Sequence, residues 1–293
     1  MGLQCTLLPL QAAKLPAMLK GVHRLLVEVS RVSVRYASRH LESTPALSAA
    51  MTLLTGYGSQ GPFRVEALVS SHLLVGEHDE ASDDEGEFVE QPTKPANYLH
   101  QVPSSNDAKE WRMVFNDHKT TATVGPLTLA LRPSAKVDKV IDAWARVQKS
   151  AGMPLMVVRG AHLEELTHKN WAKVWRASLA FVMSTSLKDA SQQHYRGLSP
   201  RMKRLLTLVV EDKVPLFPSG GRQLRHLWAS YTKLEAPTLV VEEAAAKAMG
   251  SSMRLWSSTY STGYAWWLNE VSMWEQLGEA EQLALLAKVV ARV

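Results

Sequence analysis

The chain has 293 residues, of which 46% are hydrophobic and 21% charged, with a net charge of +5. This composition is typical of a globular protein, and the length predicts one or two domains. No stretch approaches the roughly 18 uninterrupted apolar residues of a membrane span, and the single cysteine, Cys5, excludes an internal disulfide and a cysteine-rich metal site.

The charge is unevenly distributed along the chain. Residues 1–76 and 111–152 each carry net +4, residues 153–233 carry net +8, and residues 234–293 carry net −3. The acidic segment 77–110, with net −8, masks how basic the rest is. This distribution favours a polyanionic partner, most commonly a nucleic acid. The alternative is that the charges serve solubility alone.

The N-terminal 27 residues contain no acidic side chain but include Lys14, Lys20 and Arg24. This pattern is typical of a mitochondrial targeting segment, although arginine and serine are scarce.

The first predicted elements form a β-α-β unit. Residues 16–29 have the apolar spacing of a helix, and the alternation over 32–36 predicts a strand. Thr44 and Pro45 suit the N-cap and first position of a helix. The alternation over 63–69 predicts a second strand.

An acidic surface insertion and a β-β-α unit follow. Residues 77–107 are too polar to supply a core and predict the insertion. Regular patterns resume at residues 111–115, and two extended runs at 120–124 and 127–131 resemble a hairpin. Ser134 is then the predicted N-cap of a helix, which has an apolar stripe along one side and ends at a glycine.

The predicted fold class is α/β. The element order indicates a thioredoxin-like domain over residues 1–160, in β-α-β-β-α order with an acidic insertion at 77–110. Residues 161–293 are predicted to form a mainly α-helical, partly basic extension. Its helices are expected at 161–188, 199–211, 221–231, 239–257 and 276–292.

Four segments resemble a known family. They are 19–25 (LKGVHRL), 29–34 (VSRVSV), 140–152 (VIDAWARVQKSAG) and 156–159 (MVVR). They are similar to the lead-in, first strand, final helix and tail of the small thioredoxin-like family shared by mitochondrial ribosomal proteins and the B-eight accessory subunit of respiratory complex I. The arginine-ending tail favours the large-subunit ribosomal member. The start of the predicted helix, residues 40–45, departs from the family pattern.

The resemblance implies a non-catalytic structural constituent of the large subunit of the mitochondrial ribosome. Its expected location is the mitochondrial matrix, and its expected partners are mitochondrial rRNA and neighbouring large-subunit ribosomal proteins, with no cofactor. One alternative is an accessory subunit of a respiratory complex, which would not need the basic extension.

Enzymatic chemistry has little support in the sequence. Thioredoxin-type redox chemistry needs a cysteine after the first predicted strand, but Ala37, Ser38 and Arg39 stand there. A glutathione-transferase-like enzyme, with Tyr36 or Ser38 activating a thiol, is the remaining enzyme alternative. We expect no catalytic residues.

The ten histidines do not form a recognised metal-binding pattern. The nearest cluster consists of His162, Glu164, Glu165 and His168, whose spacing fits no standard ligand set. We expect no metal site.

Basic residues near aromatic and glycine residues are the candidate RNA contacts. Trp171 and Trp175 lie among cations and could stack on bases, but their spacing of four also fits a core stripe. Glycine-flanked arginines around residue 222 could approach a phosphate backbone closely. The predicted contacts are Arg31, Arg35, Arg39, Lys169, Lys173, Arg176, Arg196, Arg201, Lys203, Arg204, Arg222 and Arg225.

Overall fold

The computed structural model describes residues 23–24, 26–57, 64–74, 96–102, 110–131, 133–150, 166–188, 221–235 and 238–257. The first helix, α1, includes residues 23–24 and 26–37. The elements that follow in chain order are α2 (Thr44–Gly56), α3 (Val65–Val69), β1 (Ser71–Leu74), β2 (Asn97–Val102), β3 (Glu110–Phe115), α4 (Thr121–Val124), β4 (Leu127–Ala130), α5 (Ala135–Ser150), α6 (Trp171–Lys188), α7 (Gly221–Glu235), α8 (Leu239–Ala248) and α9 (Met253–Leu255). The fold is mixed α/β, as predicted.

The predicted strand at 32–36 is wrong, because these residues lie in α1. One side of the helical segment carries four charged residues at spacings of four, three and four: Arg24, Glu28, Arg31 and Arg35. The opposite side is buried and includes two serines. The Ser33 hydroxyl donates to the carbonyl oxygen of Ser30 at 2.7 Å, so a buried polar group is satisfied within the helix.

Helix α2 is buried on all sides. The Ser43 side chain accepts a hydrogen bond from the amide of Ala46, so Ser43 is the N-cap and the predicted cap, Thr44, is the first helical residue. Every residue from Ala46 to Gly56 is buried. A helix without a polar face needs partners on several sides, and α2 packs against both α5 and α6.

The sheet has the strand order β1-β2-β3-β4. Strands β1 and β2 are parallel, whereas β2–β3 and β3–β4 are antiparallel. The expected strand at 63–69 is mostly helix α3, and the extended run expected at 120–124 contains α4. Strand β2 lies inside the segment predicted as an insertion, 77–107. The structure therefore does not confirm a thioredoxin-like order.

The two faces of the sheet differ in exposure. One face carries buried side chains from all four strands: Leu73, Leu99, Trp111, Met113 and Leu129. Helix α5 lies on this face, where the Trp111 indole donates to the Asp138 carboxylate at 3.0 Å. The other face carries half-exposed polar and aromatic side chains: His72, Tyr98, His100 and Arg112.

The predicted helix at 239–257 is two helices, α8 and α9, separated by a turn. Gly250 in this turn has a φ of +61°, a conformation that favours glycine. A Cβ at Gly250 would come within 3.3 Å of Leu127, so the turn sits close to the start of β4. The Thr120 hydroxyl donates to the carbonyl oxygen of Gly250 and joins the α8–α9 turn to the connection between β3 and β4.

The main hydrophobic core includes residues from both predicted domains. Leu47 and Phe115 belong to it, and so do Trp175 of α6 and Leu227 of α7. The predicted boundary at residue 160 lies outside the described residues, so the division into domains stays a prediction. Among the described helices, none is long and apolar enough to cross a membrane.

His23 joins the N-terminal helical segment to α2 and α7. Its Nδ1 lies 3.0 Å from the Tyr57 hydroxyl oxygen, and its ring stacks on Tyr231 at 3.8 Å. Burial lowers the pKa of His23 to about 4. The charge of Glu235 opposes this shift, and the charge of Arg24 lowers the pKa by a smaller amount. The structure therefore favours the neutral imidazole.

We expect acid to destabilise the protein through His23. Between pH 6.5 and about 4 the unfolded chain takes up a proton that the folded chain does not, so stability falls as the pH is lowered through this window. Because the ring is only partly buried, we expect a loss of about 1–2 kcal/mol from this group. Urea unfolding at pH 7 and pH 4.5 measures it. His23→Gln should flatten the pH dependence, whereas the exposed control His168→Gln should not; equal slopes for all three proteins would contradict the assignment.

Candidate nucleic-acid interface

Helix α1 and the turn after it present three of the predicted cations. Arg31 is exposed and pairs with Glu28 at 3.5 Å, so its charge is partly balanced. Arg35 is half-buried and Arg39 is exposed just beyond the helix end. Neither has an ion pair among the described residues. The chain turns here because the amide of Arg39 donates to the carbonyl oxygen of Tyr36 at 2.9 Å.

The sequence reasoning missed a fourth cation of this row. Arg24 is exposed and lies seven residues before Arg31, which places both on one side of a helix. The signal in the sequence is the repeat of charge at 24, 28, 31 and 35, which is inconsistent with the predicted strand at 32–36.

Helix α6 presents the second group of predicted cations. Lys169 lies in the turn before the helix, where the Asn170 side chain accepts from the amide of Thr167 at 2.7 Å. Lys169 and Lys173 are exposed, without an ion pair in the described part of the chain, and Arg176 is half-buried. Two further cations are thus available to a ligand.

Helices α1 and α6 are neighbours that run in the same direction. The contact of His23 with Tyr57 brings the start of α1 to the end of α2, and the short segment 38–43 joins the other ends, so the two helices run in opposite directions. The C-terminal end of α2 at Gly56 lies against Trp175 in the first half of α6, so α6 also runs opposite to α2. The ring of Tyr36 contacts Phe181 at 5.8 Å, which places the C-terminal half of α1 beside α6. The candidate cations therefore lie on these two adjacent helices or in the turns beside them, with Arg39 just after α1 and Lys169 just before α6.

The tryptophans of α6 are core residues. Trp171 is 2% exposed and Trp175 1% exposed, and their rings lie 5.9 Å apart. The core-stripe interpretation is confirmed, and the interpretation of these rings as base-stacking groups is wrong. The cations around them remain on the surface.

The second predicted basic group is only partly described. Arg225 is 3% exposed, and its guanidinium donates to the carbonyl oxygen of Met249 at 2.7 Å, so this residue is not a surface contact. Arg222 lies in α7, which begins where the helix at 221–231 is predicted. The remaining members lie outside the described residues: Arg196, Arg201, Lys203 and Arg204.

Gly221 begins α7 for a packing reason. A Cβ at this position would lie 2.3 Å from Cγ2 of Val65 in α3, so only glycine permits this approach. The sequence predicts that glycines near Arg222 let an arginine approach a phosphate backbone closely. In the structure, Gly221 instead permits close contact between α3 and α7.

The side chains considered for thiol activation take part in local contacts. The Ser38 hydroxyl donates to the carbonyl oxygen of Arg35 at 2.9 Å, and the Tyr36 ring lies 4.2 Å from that of His40. No metal-binding group of three or more His, Cys, Asp or Glu side chains occurs within the described residues. The predicted nearest cluster falls mostly outside them, with only the exposed His168 described.

The exposed cations suit phosphate groups. Lysine and arginine contact phosphate oxygens without regard to base sequence, and each contact makes binding depend on salt. No protein-family model, curated protein or solved structure matches the chain. The functional proposal therefore rests on these side chains and on the family resemblance of the sequence.

Proposed function

We propose that the protein is a non-catalytic structural component of a ribonucleoprotein and binds RNA through the exposed cations of α1 and α6. The observation that carries this proposal is the set of exposed or half-exposed cations without an ion pair among the described residues: Arg24, Arg35, Arg39, Lys169 and Lys173. They lie on, or directly beside, the neighbouring helices α1 and α6, which share the main core. Cations on elements held by a core are positioned to contact the oxygens of a phosphate backbone.

The ribonucleoprotein that we propose is the large subunit of the mitochondrial ribosome, in the mitochondrial matrix. Support comes from the resemblance at 140–152, most of which lies in α5. The segment 29–34 resembles the family's first strand in sequence, but it is helical in the structure and therefore gives no such support. The proposed partners are mitochondrial rRNA and neighbouring large-subunit proteins.

We expect the purified full chain to bind RNA with strong salt dependence. Fluorescence anisotropy with a labelled 24-base-pair RNA duplex at several salt concentrations gives the slope of log affinity against log salt. The triple variant Arg35→Gln, Arg39→Gln, Lys173→Gln should reduce this slope by about three, because each duplex phosphate contact contributes about 0.9.

A matched control removes the same charge elsewhere. Lys119, Lys233 and Lys247 are exposed and lie outside α1 and α6. Replacing all three with glutamine should leave the salt slope within about one unit of the wild-type slope. A wild-type chain that does not bind the duplex, or a control that weakens binding as much as the test variant, would reject the proposed RNA interface.

The assembly is identified by sedimentation. The tagged full chain should sediment with mitochondrial large ribosomal subunits in a sucrose gradient, and ribonuclease should release it. Migration with respiratory complex I in a native gel would instead support the accessory-subunit alternative. Retention on immobilised glutathione would support the transferase-like alternative.

A further inference from the structure

Helix α5 carries a row of exposed cations that the sequence reasoning did not assign to any role. Lys136, Lys139 and Arg146 are exposed and have no ion pair among the described residues. Lys139 and Arg146 are seven residues apart, so they lie on one side of the helix, separated by about 10 Å along its axis. Lys136 extends this side toward the helix start.

The acidic residues of α5 do not neutralise this row. Asp138 accepts a hydrogen bond from the Trp111 indole, which directs it toward the sheet. Asp142 is spaced three and four residues from Lys139 and Arg146, the separations at which helical ion pairs form. Neither Lys139 nor Arg146 has an ion pair with Asp142 or with any other described residue. The outer side of α5 therefore keeps an excess of positive charge.

The core holds α5 in a fixed position. Val140, Ile141 and Trp144 on its inner side are fully buried. The Trp111–Asp138 hydrogen bond ties the first turn of the helix to β3. Cations on a fixed helix are positioned before the ligand arrives, which reduces the entropy lost on binding.

The chemistry of this surface favours a phosphate backbone over a protein. The cores of protein interfaces are more apolar than the rest of the surface, and lysine, which supplies two of the three cations here, is depleted in them. In the described part of the chain, the large apolar side chains with high exposure lie on α8 and α9, at Leu239, Val240 and Leu255, and not on α5. A row of unpaired cations without apolar neighbours is complementary to a polyanion, and phosphate contacts of this kind do not read base sequence.

We infer that the outer side of α5 is a second RNA-binding surface that contacts the phosphate backbone of an RNA duplex through Lys136, Lys139 and Arg146. This inference rests on the proposed function, because it takes RNA as the polyanion. It adds an interface separate from α1 and α6 on the same chain. Binding at this surface is independent of base sequence.

The test uses the full chain and the same labelled RNA duplex. The triple variant Lys136→Gln, Lys139→Gln, Arg146→Gln is expected to lower the salt slope by about two to three. Glutamine is a good helix former, and thermal unfolding checks that the variant folds. The decrease in salt slope should be the same for two RNA duplexes of unrelated sequence. The Lys119, Lys233 and Lys247 variant is the charge-matched control.

The outcomes separate the two proposals. If the α1–α6 variant loses slope and the α5 variant matches wild type, the α5 surface is rejected and the proposed function stands. If wild type does not bind the duplex, both are rejected. If the α5 variant loses binding to a poly-glutamate peptide but keeps its RNA slope, α5 is a protein-binding surface and the RNA inference is wrong.

Discussion

Replacing Trp175 with alanine is expected to lower the free energy of unfolding by about 3–5 kcal/mol, the range for a large aromatic side chain removed from a core. Trp175 is 1% exposed, stacks with Trp171, and lies so close to α2 that a Cβ on Gly56 would approach it to 2.7 Å. The loss would open a cavity between α2 and α6. That cavity would weaken the support beneath the cations of α6.

Urea unfolding at pH 7, followed by circular dichroism, measures this effect. Lys173→Ala on the same helix is the control and should change stability by no more than about 0.5 kcal/mol, because Lys173 is exposed. Trp175→Phe should cost less than alanine, since it keeps an aromatic ring and removes an indole nitrogen that has no hydrogen-bond partner among the described residues. If Trp175→Ala keeps wild-type stability but loses RNA affinity, the result would indicate instead that Trp175 stacks on RNA bases.

The best-predicted parts of the fold are the helices with complete local signals. Helix α5 begins after Ser134 and its apolar stripe, including Val140, Ile141 and Trp144, is buried as the spacing predicts. Helix α2 begins at the predicted position, shifted by one residue in its cap. In α5, capping and apolar periodicity agree over three or more turns, whereas in α2 the prediction depends on the cap and on Pro45 at the helix start. In both helices the local signals agree with the tertiary packing.

The first predicted strand failed because a five-residue window was too short. Val32, Val34 and Tyr36 alternate with polar residues, but a helix with a wide buried side also places valines at such positions. The longer window from Arg24 to Arg35 has the charge spacing of a helix. Within that helix, the Ser33 hydroxyl finds a hydrogen-bond partner in the carbonyl oxygen of Ser30. Short alternating runs do not distinguish a strand from a mostly buried helix.

The candidate site shows a different limit of sequence reasoning. Charge identifies which residues can contact phosphate, but exposure decides which of them do, and exposure depends on packing between distant elements. Arg39 and Arg225 are both arginines near glycine or polar neighbours, yet one is exposed and the other is buried against α8. Only the three-dimensional contacts separate them.

Arg225 is expected to contribute to stability and not to RNA binding. Its guanidinium is buried and donates to the carbonyl oxygen of Met249 at 2.7 Å, which ties α7 to the end of α8. Hydrogen bonds of charged donors contribute about 1.5–3 kcal/mol, and the apolar part of the side chain packs as well. We therefore expect Arg225→Ala to lower the free energy of unfolding by about 2–4 kcal/mol.

The same variant should leave the salt slope of RNA binding unchanged at a temperature where it remains folded. Lys233→Ala, an exposed cation on the same helix, removes one charge without a buried contact and should change stability by no more than about 0.5 kcal/mol. Urea unfolding and anisotropy with the RNA duplex measure the two quantities independently. An Arg225→Ala protein with wild-type stability and a slope reduced by about one would instead place this arginine at the RNA surface. The pair of measurements thus tests whether burial, rather than charge, decides which basic residues bind RNA.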